Sequence, residues 1–216
     1  MFPSREAMTY TYADHLFLPN RHHQSGDRPH PWLYTLALIL GGSLFLGLVA
    51  QIAIPLPFSP VPITGQTFGV LLIGATLGSK RGALCILTYL AEAIAGLPFF
   101  TGGASGIAAL AGPTGGYLVG FVLAAYITGW LAERGWDRQL KTNLLAMALG
   151  NIAIYALGLP WLGLLIGFDK VLALGLVPFI PGDLVKLLLA AGALPLAWRL
   201  TRRSAGTFSG KKGDRS

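Results

Sequence analysis

Two side chains of opposite charge stand close together inside an apolar run near the end of the chain. Asp183 and Lys186 lie in the segment PGDLVKLLLAAG, and their i, i+3 spacing puts both on one face of a helix. Each would cost roughly 2.5–3.5 kcal/mol at a helix centre facing lipid, so both are expected to face inward. An aspartate near a helix N-terminus is also stabilised by the free N–H groups there. A structural ion pair and a ligand-binding pair both fit this pattern. We favour ligand binding, because apolar loops converge at the same depth.

Further polar side chains are expected at that depth, and each is embedded in apolar sequence. They are Gln66, Tyr89, Glu92, Tyr117, Asn151 and Tyr155. Asn151 and Tyr155 share a helix face, because they are four residues apart. Taken singly, each residue fits an ordinary interhelical hydrogen bond, worth about 0.6 kcal/mol on average. Together they supply the amide, carboxylate and phenol groups that a small ligand with polar and apolar parts needs.

The composition indicates that a membrane surrounds these groups. Of the 216 residues, 53% are hydrophobic and only 12% are charged, and the mean hydropathy is +0.60. A soluble domain carries roughly 25% charged residues, so this chain has too few to cover a surface in water. We therefore predict an all-α integral membrane protein with six helices and irregular outer loops. The predicted helical segments are 32–54, 67–78, 82–97, 115–131, 142–157 and 181–198.

Three loops on one side of the predicted bundle are nearly uncharged and rich in Pro, Gly and aromatic residues. They span 55–66, 98–114 and 158–180. We expect the last of them to be irregular, with one short helix around 169–176, because Gly and Pro interrupt it. Irregular apolar backbone near a membrane is tolerated where it packs on protein or lines a cavity. The loops are therefore expected to fold over the mouth of the bundle, with a position in the headgroup layer as the alternative.

The basic residues predict the orientation of the chain. Connections 79–81 and 132–141 and the tail hold eleven Lys and Arg, whereas the loops on the other side hold only Lys170. Positive loops remain in the cytoplasm, so both termini are expected there. We divide the chain into a polar extension at 1–31, expected to be disordered, a membrane substrate-binding domain at 32–198 and a basic cytoplasmic tail at 199–216.

Several kinds of chemistry lack the residues they need. Cys85 is the only cysteine and all four histidines lie in the polar extension, so no metal site or cofactor is expected. Residues 103–106 match the G-x-S-G of intramembrane proteases, but no histidine base lies on that side of the membrane. Residues 210–212 lack the first Gly and the Ser or Thr of a phosphate-binding loop. An ATP-driven step would therefore need a partner. No basic stripe with interleaved aromatics indicates binding to nucleic acid.

Four stretches, taken in order, carry a resemblance to a known family. They are PVPITGQ (60–66), YL (89–90) followed by GLP (96–98), GPTGGYLVGF (112–121) and PFIPGDLVK (178–186). Over roughly residues 33–198 the chain resembles the BioY family, the biotin-specific S components of energy-coupling factor (ECF) transporters. It departs from the family pattern at Ala93, where Gly is common, and at Phe99, where Val is common.

The resemblance implies a six-helix S-component fold in the cell membrane, with biotin held beneath the outer loops. It also implies a partner module of one membrane-embedded coupling protein and two ABC-type ATPases. The binding residues that it implies are Gln66, Tyr117, Asn151, Tyr155, Asp183 and Lys186.

Biotin offers a carboxylate, a ureido ring and an apolar sulfur ring and chain. We hypothesise that Asp183 and Asn151 bind the ureido group. Lys186 would supply positive charge to an acceptor oxygen, either ureido or carboxylate, and the sequence leaves that choice open. The aromatic side chains expected to pack the apolar parts are Tyr89, Phe99, Tyr117 and Tyr155.

Two alternative functions remain on the sequence alone. One is an S component for a different vitamin. The other is a membrane enzyme that uses Asp183, Lys186 or Glu92 as an acid or base.

Overall fold

The computed structural model describes residues 11–17 and 31–209. Their helices, in chain order, are α1 (Tyr12–Phe17), α2 (Pro31–Ala50), α3 (Gln66–Leu77), α4 (Ser79–Ile94), α5 (Ile107–Leu110), α6 (Gly115–Ala132), α7 (Leu140–Ile166), α8 (Val171–Gly175) and α9 (Ile180–Ser209). Single 3-10 turns occupy Thr101–Gly103, Trp136–Arg138 and Val177–Phe179. Two short strands, β1 (Ala53–Ile54) and β2 (Ile63–Thr64), pair antiparallel with Ala53 opposite Thr64.

Six of these helices correspond to the six predicted segments, so the predicted all-α membrane fold is confirmed. They are α2, α3, α4, α6, α7 and α9. Four stretches of the described chain are helical, long and apolar enough to cross a membrane: Trp32–Ala50, Gly115–Ala132, Leu140–Ile166 and Val171–Trp198. Helices α3 and α4 have only 12 and 16 residues. At about 1.5 Å per residue, neither reaches across a hydrocarbon core of roughly 30 Å.

The predicted irregular loop at 158–180 is wrong in its first part, because α7 continues through Gly158 and Pro160 to Ile166. A proline in a helix loses one hydrogen bond and strains one turn, and packing against α6 outweighs that loss here. A side chain at position 158 would come within 2.6 Å of the Tyr117 ring, so Gly158 makes room for this contact. The short helix expected around 169–176 is confirmed as α8.

Small residues allow α6 to pack closely against its neighbours. Gly116, Gly120, Ala124 and Thr128 form a stripe, and all four are buried. A Cβ atom at Gly120 would lie 3.0 Å from the Cα atom of Ile154 on α7, so only glycine allows this separation. The stripe therefore serves packing within the chain.

Helix α9 also contains a proline. The backbone carbonyl that this proline leaves without its helical hydrogen bond accepts one from a side-chain amide of α7. Pro195 has no N–H to donate to the carbonyl of Ala191, four residues earlier. The Nδ2 atom of Asn143, at the start of α7, donates to that carbonyl at 2.9 Å. Asn143 is only 1% exposed, so the bond is shielded from lipid and water. It joins α7 and α9 below the site described next.

The bundle has two different ends. At the loop end, residues 51–65, 95–114 and 167–179 connect the helices. At the opposite end the connections are short, and α1 packs against them. Arg81 Nη1 lies 2.6 Å from Asp14 Oδ1, and Tyr12 meets Trp198 edge to face. Of the extension predicted at 1–31, the structure describes residues 11–17 and Pro31, which begins α2. Residues 1–10 and 18–30 lie outside the described residues, and the expected disorder of the extension stays a prediction.

Candidate functional site

The predicted pair of opposite charges occupies the first two turns of α9. Lys186 Nζ lies 3.3 Å from Asp183 Oδ1 and donates to Thr67 Oγ1 at 3.1 Å. The two side chains are 7% exposed for Asp183 and 18% exposed for Lys186. The one-turn spacing in the sequence brings them together, because residues three apart lie on one helix face. They form a partly buried ion pair at the loop end of the bundle.

Helix α7 supplies two further donors to the same carboxylate. Asn151 Nδ2 donates to Asp183 Oδ2 at 3.1 Å, and the Tyr155 hydroxyl donates a short hydrogen bond to the same oxygen. Their four-residue spacing puts both side chains on one face of α7, as predicted, and that face meets α9. Asp183 therefore accepts from an amide, a phenol and an ammonium group. Hydrogen bonds of this kind compensate a carboxylate for its loss of water.

A second polar cluster, uncharged, centres on Gln66 at the start of α3. Gln66 Nε2 donates to the Tyr89 hydroxyl at 2.7 Å, and Tyr89 donates onward to the carbonyl of Phe99 at 3.0 Å. The Gln66 Oε1 atom accepts from Thr64 and Thr101, each at 3.1 Å. The amide is only 4% exposed. Its orientation is fixed, because both ends of the amide have partners.

A cavity lies between the two clusters at the loop end. It contains about 490 Å³ of space between atoms, part of it open to the outside. Its polar lining consists of Thr64, Gln66, Thr67, Thr101, Thr114, Tyr117, Tyr155, Asp183 and Lys186. Its apolar lining consists of Val61, Pro62, Leu118, Phe121, Ile154 and Phe179. An apolar chamber with a few fixed polar groups is the usual form of a small-molecule site.

Five of the eight residues predicted to bind substrate line this cavity. They are Gln66, Tyr117, Tyr155, Asp183 and Lys186. Tyr117 meets Tyr155 edge to face, with ring centroids 6.1 Å apart, and its hydroxyl donates to the Gly175 carbonyl at 2.9 Å. The second bond ties α8 to α6, so Tyr117 both forms cavity wall and holds the third loop in place.

The other three predicted residues lie behind the cavity wall. Tyr89 is fully buried and stacks against Phe99, with ring centroids 6.3 Å apart. Asn151 reaches Asp183 from behind and is 8% exposed. Their contacts hold Gln66 and Asp183 in position, and direct contact with a ligand stays a prediction for all three.

The sequence interpretation missed most of the threonines and apolar residues of the lining. Thr67 follows Gln66 directly, and Thr114 and Phe179 lie inside two of the stretches that carried the family resemblance. That proximity was a usable signal. Thr101 had no such signal, because a loop turn rather than helical spacing brings it to Gln66.

Within residues 11–17 and 31–209, no three His, Cys, Asp or Glu side chains cluster closely enough to hold a metal ion. The adjacent histidines of the polar extension, His22 and His23, lie outside the described residues. The described cavity offers one carboxylate, one ammonium group, one amide and several hydroxyls. These groups suit an organic ligand that has both donors and acceptors.

Comparison with known proteins connects this arrangement to a function. The model of the BioY family matches residues 22–203. A biotin transporter BioY of Rhizobium etli is 39% identical over 168 residues, which cover 74% of this chain and 88% of the relative. A probable biotin transporter BioY of Pyrococcus horikoshii is 42% identical over 161 residues, covering 73% and 92%.

One solved structure is similar as well. It is the S-component for biotin from an ECF-type ABC transporter, with a TM-score of 0.68 and 28% sequence identity. The similarity covers 81% of this chain and 95% of the solved one. Along most of the chain, the sequence therefore matches the BioY family and the fold matches that of the solved S-component.

Proposed function

Because the chain belongs to the BioY family, we propose that it captures biotin as the substrate-binding S component of an ECF-type transporter. The relatives it matches are biotin transporters, and it is a multi-pass membrane protein with an S-component fold. The observation that carries the proposal is the cavity at the loop end. There the Asp183–Lys186 pair and the Gln66 amide face a chamber whose remaining wall is largely apolar.

The chemistry of the cavity complements biotin. An ammonium group has three N–H donors, and among the described residues Lys186 Nζ meets two acceptors, Thr67 and Asp183. One donor therefore remains for a ligand oxygen. Asp183 Oδ1 accepts only from Lys186 among those residues, so it has capacity for a ureido N–H. We assign the ureido ring to this pair, and Asn151 acts by holding Asp183.

The apolar part of biotin has its own partners. Tyr117 and Tyr155 meet edge to face, and Phe121, Ile154 and Phe179 complete that side of the chamber. Burying aliphatic carbon and a thioether against aromatic rings is favourable at roughly 25 cal/mol per Å². Thr67 and Thr114 also line the chamber, and their hydroxyl groups can donate to the carboxylate end. This division of the wall suits a ligand that is polar at both ends and apolar between.

We place the loop end outside the cell and both termini in the cytoplasm. The basic residues of the connections lie at the opposite end, where anionic lipid and the positive-inside rule favour them. Energy for uptake would come from a partner module of one membrane-embedded coupling protein and two ABC-type ATPases. The chain's part is then capture and presentation of the vitamin, without catalysis.

The test is equilibrium binding of labelled biotin to the purified full chain in detergent, with thiamin and riboflavin as competitors. We expect biotin to be retained and neither competitor to displace it. Retention of thiamin or riboflavin without biotin would instead establish an S component for another vitamin. Mass spectrometry of the bound ligand checks the enzyme alternative, which requires chemical turnover. Glu92, one of its candidate groups, does not line the cavity.

A further inference from the structure

A glutamine outside the cavity holds the second loop in place. Gln51 directly follows α2, and its Nε2 atom donates to the carbonyl of Gly47, one turn back in that helix, at 3.0 Å. The same atom donates to the carbonyl of Phe100 at 3.2 Å, with the carbonyl of Pro98 at 3.4 Å. Its Oε1 atom accepts from the N–H of Gly103 at 3.0 Å. Gln51 is absent from the cavity lining. One side chain thus bonds three backbone groups of a single loop.

The turn that Gln51 contacts also has backbone hydrogen bonds of its own. The N–H of Gly103 donates to the carbonyl of Phe100 at 3.1 Å, and the N–H of Phe100 donates to the carbonyl of Ala104 at 3.0 Å. Gly102 and Gly103 adopt positive φ angles of 70° and 74°, so the chain turns sharply and cannot continue as a helix. Backbone N–H and C=O groups near a membrane need partners, because unpaired groups are costly. The bonds within the turn meet part of that need, and Gln51 adds bonds that tie the turn from Phe100 to Gly103 to the end of α2.

The same turn presents a residue to the cavity. Thr101 lies between the groups that Gln51 holds, and its hydroxyl donates to Gln66 Oε1 at 3.1 Å. Thr101 and Gln66 both line the cavity. The turn is therefore held on two sides: Gln51 bonds its backbone away from the cavity, and Thr101 bonds Gln66 at the cavity wall.

We propose that Gln51 is a positioning residue for substrate retention, which acts by holding Thr101 against Gln66 over the occupied cavity. This inference rests on the proposed function in biotin capture. Gln51 makes no contact with the chamber, so its loss leaves the chemical groups of the site unchanged. Loss of the Gln51 side chain makes the turn from Phe100 to Gly103 more mobile. Thr101 then leaves Gln66 more often, and a bound ligand dissociates through the opening. The dissociation rate rises, while the association rate changes little because the open site is the same.

The test uses Gln51→Met in the full chain, because methionine keeps the length of the side chain and removes its hydrogen bonds. The matched control is Gln139→Met, at an exposed residue of the opposite end. Labelled-biotin kinetics should show dissociation about tenfold faster for Gln51→Met, the scale of one or two lost hydrogen bonds. Association should stay within about twofold. The control should match the wild type in both rates.

A double-variant cycle separates positioning from a general loss of stability. If Gln51 acts through Thr101, Gln51→Met combined with Thr101→Val releases biotin no faster than the faster single variant. Hydrogen exchange of the ligand-free protein should also accelerate in residues 100–106 and not in α6. Should Gln51→Met fail to fold, Gln51→Glu serves instead, because it keeps the acceptor for Gly103 and loses both donors.

The outcomes distinguish this inference from the proposed function. If the wild-type protein does not bind biotin, the proposed function itself is wrong. Binding by the wild type, together with an unchanged dissociation rate in Gln51→Met, overturns the role of Gln51 alone. Multiplicative effects of Gln51→Met and Thr101→Val overturn it too, because independent residues do not act through one another.

Discussion

Two buried aspartates, one in the first turn of α9 and one packed against Trp198 later in that helix, have opposite surroundings. Asp183, 5% exposed, accepts hydrogen bonds from Asn151, Tyr155 and Lys186. Asp137, 2% exposed, accepts one from the Trp198 indole at Oδ2, and its Oδ1 atom has no partner among the described residues. The first carboxylate faces a cavity, whereas the second lies where the 3-10 turn Trp136–Arg138 packs on α9 at Trp198.

The comparison shows that burial alone does not mark a binding site. Burial raises the pKa of Asp137 above its ordinary value, although the Trp198 hydrogen bond and the nearby Arg138 lower it. That group bonds two elements together through Trp198 and is not part of the cavity lining described above. What distinguishes Asp183 is a neighbouring ammonium group with a donor to spare, at the wall of a cavity. Three variants test this distinction.

The largest effect is expected for Lys186→Ala. Losing one partner of a partly buried, hydrogen-bonded charge pair costs about 2–5 kcal/mol of binding free energy, or roughly 30-fold to several-thousand-fold in Kd. Asp183 keeps its bonds to Asn151 and Tyr155, so the protein should remain folded. Isothermal titration with biotin measures the change, and Lys141→Ala, at an exposed lysine of the opposite end, is the control. Normal biotin binding by Lys186→Ala would exclude the central pair from the site.

A smaller effect is expected for Asp183→Asn, which keeps the size of the side chain and removes its charge. Lys186 then lacks its counter-charge and a ureido N–H meets a weaker acceptor, so biotin affinity should fall about 10- to 100-fold. The matched variant Asp137→Asn should bind biotin as the wild type does. Equal losses in the two variants, measured by the same titration, would mean that both carboxylates act only through folding.

The smallest effect concerns the stability of Asp137→Asn. Because its pKa is raised, Asp137 holds a proton in the folded state up to a higher pH than in the unfolded chain. Stability from this residue is therefore present at acid pH and is lost as the pH rises from about 4 through the raised pKa. Asparagine at position 137 has no ionisable group, so the Asp137→Asn variant does not lose this stability as the pH rises.

Thermal unfolding in detergent should show Asp137→Asn more stable by about 1 kcal/mol, or roughly 2–4 °C, at pH 7. The gain should shrink as the pH falls through the raised pKa, because the wild-type carboxyl takes up a proton there. A gain that is independent of pH, or a loss at pH 7, would contradict the assigned cause.

The regular parts of the site were predictable, because helical spacing is a local property of sequence. Asp183 with Lys186, and Asn151 with Tyr155, follow from three- and four-residue intervals, and the structure joins the two pairs through one carboxylate. Polar groups in apolar sequence also pointed to the correct helices. The family resemblance then supplied the ligand, which no interval in the sequence could name.

What was not predictable depends on contacts between distant segments. Glycine and proline at 158 and 160 indicated a loop, yet packing of Tyr117 into the space at Gly158 keeps α7 helical. Tyr89 was expected to meet the ligand, which stays a prediction, and its hydrogen bond with Gln66 could not be read from the sequence. Thr101 enters the site because the next two residues, Gly102 and Gly103, turn the chain with positive φ angles, and no helical interval links Thr101 to Gln66.

The short helix α1 has a practical consequence for anyone who designs variants of this protein. It lies before residue 22, where the match to the family begins, yet Tyr12 reaches Trp198 and Asp14 reaches Arg81. A version trimmed to the shared core would therefore deprive that arginine of its carboxylate and that tryptophan of an aromatic neighbour. The stability of such a version in detergent would not represent that of the full chain. For the same reason an affinity tag is better attached at the C-terminus than beside α1.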